Sequence, residues 1–535
     1  MSRNIFSLRS TRPTLASICR LFSATTVDPA AGAVTAKTRS GGVGGGAARE
    51  KQEAGRGSVG GGSDTLGGRL LSLVYTKRSA VVTIRKWKEE GHSVRKYELN
   101  RIVRELRKIK RYKHALEICE WMVLQEDIKL QPGDYAVHLD LISKIRGLNS
   151  AEKFFEDMPD QMRGHAACTS LLHSYVQNKL SDKAEALFEK MAECGFLNSC
   201  LPYNHMLSMY IWKGEFERVP AMIKELKLKA SPDIVTYNLW LTAFASGNDV
   251  EAAEKVYLKV KEANLSPDWV TYSVLTNLYT KTDSLEKAKL ALKEMEKLVS
   301  KKNRVAYASL ISLHGNLGDK DGVNLTWKKI KSSFKRMNDA EYLSMISAVV
   351  KLGEFEQAKG LYDEWESVSG TGDVRIPNLI LAEYMNRDEV HLGEKFYERI
   401  VEKGINPSYS TWEILTWAYL KRKDMEKVLD RFGKAIDSVK KWTVNVRLLK
   451  AVCKELEEQG NVKEAEKLMT ILQKAGHVNT QLYNSFLRTY AKAGEMALIV
   501  EERMAKDNVE LDEETKELIR VTSRMRVTEI SSTVS

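Results

Sequence analysis

The phrase SPDIVTYNLW at residues 231–240 returns 35 residues later as SPDWVTYSVL at 266–275. Laid out in steps of that length, Tyr203, Tyr237, Tyr272, Tyr307, Tyr342 and Tyr483 share one register. A second phrase recurs later in the unit: KAEALFEKM from Lys183, AAEKVYLKV from Ala252, KAKLALKEM from Lys287, QAKGLYDEW from Gln357 and EAEKLMTIL from Glu464. Both phrases space their apolar residues helically, so each unit predicts two amphipathic helices. One such hairpin cannot bury its apolar face alone, whereas stacked copies can. The expected fold is all-α: a right-handed α-solenoid superhelix of stacked helix-turn-helix units.

The clear units run 165–199, 200–233, 234–268, 269–303, 304–338, 339–373, 374–408, 409–445, 446–479 and 480–512, with a shortened one near 134–164. The array thus spans residues 134–512, about ten or eleven repeats. Residues 69–133 read as a basic helical segment before it, and 513–535 as a short terminal helix and tail.

Charge is unevenly placed. The 535 residues carry a net +12, but residues 69–113 alone hold fifteen Lys/Arg against four Asp/Glu, while residues 114–535 hold 59 against 63. The repeats therefore have no bulk attraction for phosphate, and any nucleic acid they bind must be held by placed side chains. The segment 69–113 reads either as a solvated helix face or as a contact for RNA phosphates. No apolar run is long enough to span a bilayer, so membrane insertion is not expected. Six cysteines form no Cys-x-x-Cys pair, and no metal or other cofactor is expected.

Residues 1–25 contain Arg3, Arg9, Arg12 and Arg20 and no acidic residue, the composition of a mitochondrial transit peptide, with a chloroplast address as the alternative. Residues 26–68 follow as a tether, with twelve glycines between Gly41 and Gly68 and little to bury.

Within the repeats one choice looks costly. Asn238 lies five residues past the cap Asp233, inside a helix, where Asn is a poor residue. Asn204, Asn378 and Asn484 share its register, and Ser273 and Thr169 replace it elsewhere. Each could simply face solvent, with the Asp at each unit boundary acting only as a cap. The recurrence instead suggests that something other than folding wants a polar group there.

A 35-residue unit with V-T-Y-N early, A-E-x-L-F-E-x-M late and Pro-Asp at its end resembles the pentatricopeptide repeat. Uniform units behind a transit peptide are similar to the P subclass of plant organellar proteins. The resemblance implies that the fifth and last residues of a repeat jointly read one base of single-stranded RNA. On that basis Asn204 with Asp233, Asn238 with Asp268, and Asn484 with Asp512 look like uracil readers. Ser273 with Asn303 resembles an adenine reader, Asn378 with Ser408 a pyrimidine reader, and Thr169 with Ser199 a polar pair of undefined preference. The second residues Leu201, Val235, Val270 and Val305 would press on base faces, or serve as ordinary core. Ala308, Leu343, Glu413 and Lys450 depart from the pattern, so recognition over ten consecutive bases is not expected.

No His-x-Glu with Cys-x-x-C, clustered aspartates or His beside a nucleophile is present, and no catalytic residue is expected. The expected function is mitochondrial: binding single-stranded organellar RNA, with stabilisation, processing or translation of transcripts as the outcome. The alternatives are a component of the mitochondrial ribosome and, with less support, a protein–protein adaptor.

Overall fold

A computed structural model describes residues 65–73, 79–368, 371–439 and 442–525. The transit peptide, most of the Gly-rich tether and the end of the tail lie outside the described residues. Within them the chain is all-α, with 27 α-helices, one short 3-10 turn and no strand. It divides at residues 295/296 into two compact units. In both, each helix touches only its near neighbours along the chain, the mark of a solenoid.

In the unit ending at Met295, first helices of successive repeats span His165–Gln177, Cys200–Lys213, Ile234–Ser246 and Trp269–Lys281. The second helices Ser181–Glu193, Arg218–Lys229 and Val250–Glu262 alternate with them. In the unit from Glu296 onward, first helices begin at Arg304, Asp339, Arg375, Tyr409, Val446 and Thr480.

The helix starts have local causes. Asp233 accepts the backbone N–H of Thr236 at 2.8 Å, and Asp268 accepts those of Val270 and Thr271 at 3.0 and 2.9 Å, in each case within a capping box closed by the threonine. Ser408 with Thr411 and Asn338 with Glu341 repeat the device.

The register tyrosine also has a reason. Tyr203 has no exposed surface, yet its hydroxyl donates to Glu225 of the second helix at 3.0 Å. Tyr342 does the same to Glu364 and Tyr483 to Asp507, at 2.9 and 2.7 Å. Phe would fill the volume but leave the carboxylate without this donor. On the second helices Ala184, Ala253 and Ala288 are wholly buried, small enough to let neighbours approach.

Three boundaries differ from the sequence reading. A short helix, Leu66–Leu71, starts inside the stretch assigned to the tether, because Thr65 caps Gly68 N–H at 3.1 Å and Leu66 and Leu70 enter a core with no exposed surface. Residues 66–68 therefore belong to the folded region. The unit drawn from 134 has its first helix at Pro132–Arg146, proline taking the first turn, where no N–H is needed. Its second helix, Leu148–Glu156, follows after Gly147 alone, at φ 88°, a left-handed conformation that makes so abrupt a turn possible. Before it, Lys96–Lys108 and Tyr112–Val123 form a hairpin of the same kind as the repeats.

Candidate functional site

The four in-register asparagines occupy one environment. Asn204 and Asn238, in the unit ending at Met295, are 4% and 1% exposed; Asn378 and Asn484, in the other, are 7% and 2%. Each amide reaches forward to the boundary with the following repeat. Nδ2 of Asn204 donates to Asp233 Oδ1 at 3.1 Å, and Nδ2 of Asn238 to Asp268 Oδ1 at 3.0 Å. For Asn378 the acceptor is Ser408 Oγ at 3.4 Å, and for Asn484 both carboxylate oxygens of Asp512 at 3.2 Å. The amide oxygens accept from a threonine three residues past each cap: Thr236 at 2.7 Å, Thr271 at 2.7 Å, Thr411 at 2.9 Å and Thr515 at 2.7 Å.

This arrangement gives folding a use for these amides, where the sequence suggested that something other than folding wants them, and it keeps them from facing solvent. Each joins one first helix to the capped start of the next. A sequence shows an Asn inside a helix, but not the carboxylate and hydroxyl about thirty residues on that receive it. The pattern also orients the amide. Ionised carboxylates only accept, so the nitrogen must face the aspartate and the oxygen the threonine. One N–H and one oxygen lone pair of Asn204 and of Asn238 are left beyond these bonds.

Asp233 carries a further load, since the Cys200 thiol donates to its Oδ2 at 3.3 Å. Burial, reinforced by the Asp233 charge, pushes that thiol up to about 12, so Cys200 stays protonated.

The other pairs are built differently. Thr169 turns its hydroxyl onto its own helix, to the carbonyl of His165 at 2.7 Å, while Ser199 Oγ lies 3.0 Å from His165 Nε2. Those two hydroxyls therefore face the same histidine rather than each other. Ser273 is 1% exposed on the helix Trp269–Lys281, and Asn303 caps Arg304–Asn316 through Ala306 N–H at 3.1 Å; the two lie in different compact units. Among the second residues, Val305 is 41% exposed, Leu201 and Val235 are half-buried, and Val270 at 1% is core with no face to offer a base.

Two of the repeats that depart from the asparagine pattern keep a forward connection by other means. Glu413 accepts from Asn445, the next cap, at 2.5 Å, and burial raises its carboxyl while that bond opposes the rise. Where Ala308 has nothing to offer, Arg304 pairs with both oxygens of buried Glu341 at 2.7 and 2.8 Å and lies over the Phe334 ring. Leu343 is apolar, and Lys450 is exposed.

One member of the series was missed from sequence. Asn100, fifth in the helix Lys96–Lys108, donates to Asp134 Oδ1 at 2.9 Å. It stands three repeat lengths before Asn204, and that spacing was the available signal. Leu99 in place of the register tyrosine concealed it. Among the described residues no group of His, Cys, Asp and Glu could hold a metal ion, and no helix is long and apolar enough to cross a membrane.

The sequence profile of the PPR repeat family matches residues 232–281, and that of the PPR repeat matches 166–196, 270–298 and 342–368. A mitochondrial pentatricopeptide repeat-containing protein of Arabidopsis thaliana is 87% identical over 538 residues, covering 100% of both chains. A second mitochondrial one from the same plant is 33% identical over 78% of this chain and 86% of its own. Among solved structures, a pentatricopeptide repeat protein, PPR10, in complex with an 18-nt psaJ RNA element aligns at 15% identity over 87% of this chain and 90% of that one. Its TM-score of 0.33 is too low to transfer geometry between the two.

Proposed function

The chain belongs to the pentatricopeptide repeat family and is mitochondrial, and on that premise we propose that it binds single-stranded RNA and acts in organellar RNA metabolism by occupying a segment of transcript. The observation that carries the reading is the recurrence of oriented amides at 204, 238, 378 and 484, each pinned by the capped start of the next first-position helix. A donor and an acceptor held side by side in a fixed order suit the Watson–Crick edge of one base, and a pyrimidine such as uracil offers the matching pair. The cap aspartate takes part by holding the amide.

Because the amides are 1–7% exposed without RNA, a base reaches them only if consecutive first helices part slightly. Recognition then includes a conformational step, and association should be slower than for a preformed groove. Outcomes such as stabilisation, processing or translation follow from what the bound segment is shielded from or presented to, with no chemistry by this chain.

The test is Asn238→Ser, which keeps a polar group, measured by fluorescence anisotropy with a U-rich oligonucleotide and a series carrying one adenine at each position in turn. The expected result is a relative gain of about tenfold for adenine at a single position. An equal change for every oligonucleotide would show that Asn238 serves the fold alone.

A further inference from the structure

The helix Lys96–Lys108 presents a face that the repeats do not have. Tyr97, Arg101, Arg104 and Lys108 recur at the spacing that puts residues on one side of a helix. Its opposite side is the core, through Leu99, Ile102, Val103 and Leu106, all 3% exposed or less. Tyr97 is 75% exposed. Arg101 and Arg104 are exposed and make no ion pair among the described residues, whereas Lys108 pairs with Glu105, Lys96 with Asp134 and Arg107 with buried Asp140. Carboxylates are thus available nearby and are used by other cations. Arg85, Lys86 and Lys110 add exposed charge in the same segment, whose +11 contrasts with the slight negative excess of residues 114–535.

We propose that this face is a docking platform for single-stranded RNA that does not discriminate between bases, separate from the asparagine series: the Tyr97 ring stacks on a base while Arg101 and Arg104, one and two turns further along the helix, hold successive phosphates. An aromatic ring set among unpaired cations is the arrangement that binds a flexible polyanion carrying flat bases, since every base has a stacking face and every linkage a charge. A folded acidic protein would match the charge but has no use for a lone exposed ring at the head of two arginines. A bilayer would require an apolar stripe beside the cations, and Tyr97 is the one large apolar side chain on that stripe. The platform would hold RNA near the array's N-terminal end whatever its sequence.

The experiment uses the full chain and two labelled probes, oligouridylate and oligoadenylate of twenty nucleotides, titrated across a range of salt concentrations. Tyr97→Ala should weaken binding of both probes by roughly 5- to 100-fold, and Tyr97→Phe should bind like the parent. Arg101→Gln with Arg104→Gln should make the slope of log affinity against log salt shallower by about 1.4, two phosphate contacts on a single strand. All these side chains lie on the surface, and an unchanged melting temperature confirms that the variants fold. Parent-like affinity and slope in both variants would overturn the proposal, as would no binding of either probe by the parent, or loss by Tyr97→Ala on one probe only. Because the expected loss ignores base identity, it is separable from failure of the asparagine reading, which moves one base preference at one position.

Discussion

At the scale of single residues, the chain spends polar groups where apolar ones would pack, and what surrounds each such group is not revealed by sequence alone. Asn238 was visible as an oddity in a helix; Thr271 and Asp268, which complete it, looked like ordinary members of a capping motif. The histidines were equally opaque. His138 is 6% exposed, tilts against the Phe154 ring at 4.6 Å, and neither ring nitrogen finds a hydrogen bond among the described residues. Burial, with Arg146 adding to it, lowers its pKa to about 4. A base whose folded pKa lies below its unfolded value is neutral in the fold, so the unfolded chain binds more protons below about pH 6.5. Stability is therefore whole above that pH and drains away as pH falls toward 4, by on the order of 3 kcal/mol. Amide protection factors in the helix Pro132–Arg146, which divide out the slower intrinsic exchange in acid, should fall over that window in the parent and much less in His138→Leu; an equal fall in both would show that another group titrates.

At the scale of elements, the two-helix unit was legible because apolar residues keep the helical period and because Pro-Asp or an equivalent marks each start. Less legible was how far one cap reaches. Asp268 begins the helix Trp269–Lys281 and also receives the amide of Asn238 on the preceding first helix, so it works at a seam between elements. Asp268→Ala should cost about 2–3 kcal/mol, a lost cap plus a lost buried hydrogen bond. Asp268→Asn keeps a side-chain oxygen for the same donors and should stay within about 0.5 kcal/mol of the parent. Urea denaturation of the two variants decides it: similar losses would mean that charge, rather than the oxygen's position, holds the seam. The hairpin Lys96–Lys108 with Tyr112–Val123 was read as a basic segment, since its charges masked a period that Asn100 alone still carried.

At the scale of the whole chain, contacts between near neighbours replace the long-range core of a globular domain, and stability becomes a sum of local terms. Leu456 is 2% exposed on the helix Val446–Gln459, and Leu456→Ala removes about 2–5 kcal/mol of packing there. Hydrogen exchange should rise across residues 446–493 and stay unchanged across residues 165–262; a rise everywhere would mean that the array unfolds as one body. The amide bonds described above all point one way along the chain: from Asn204 to Asp233, from Asn238 to Asp268, from Asn378 to Ser408 and from Asn484 to Asp512. A polypeptide emerging from a ribosome or threading through a translocation pore from its N-terminus thus completes each hairpin before the residues that satisfy it have arrived. At each of these four positions the newest hairpin waits with an unanswered amide, and the arrival of the next one closes it, so assembly there advances with a ratchet's direction.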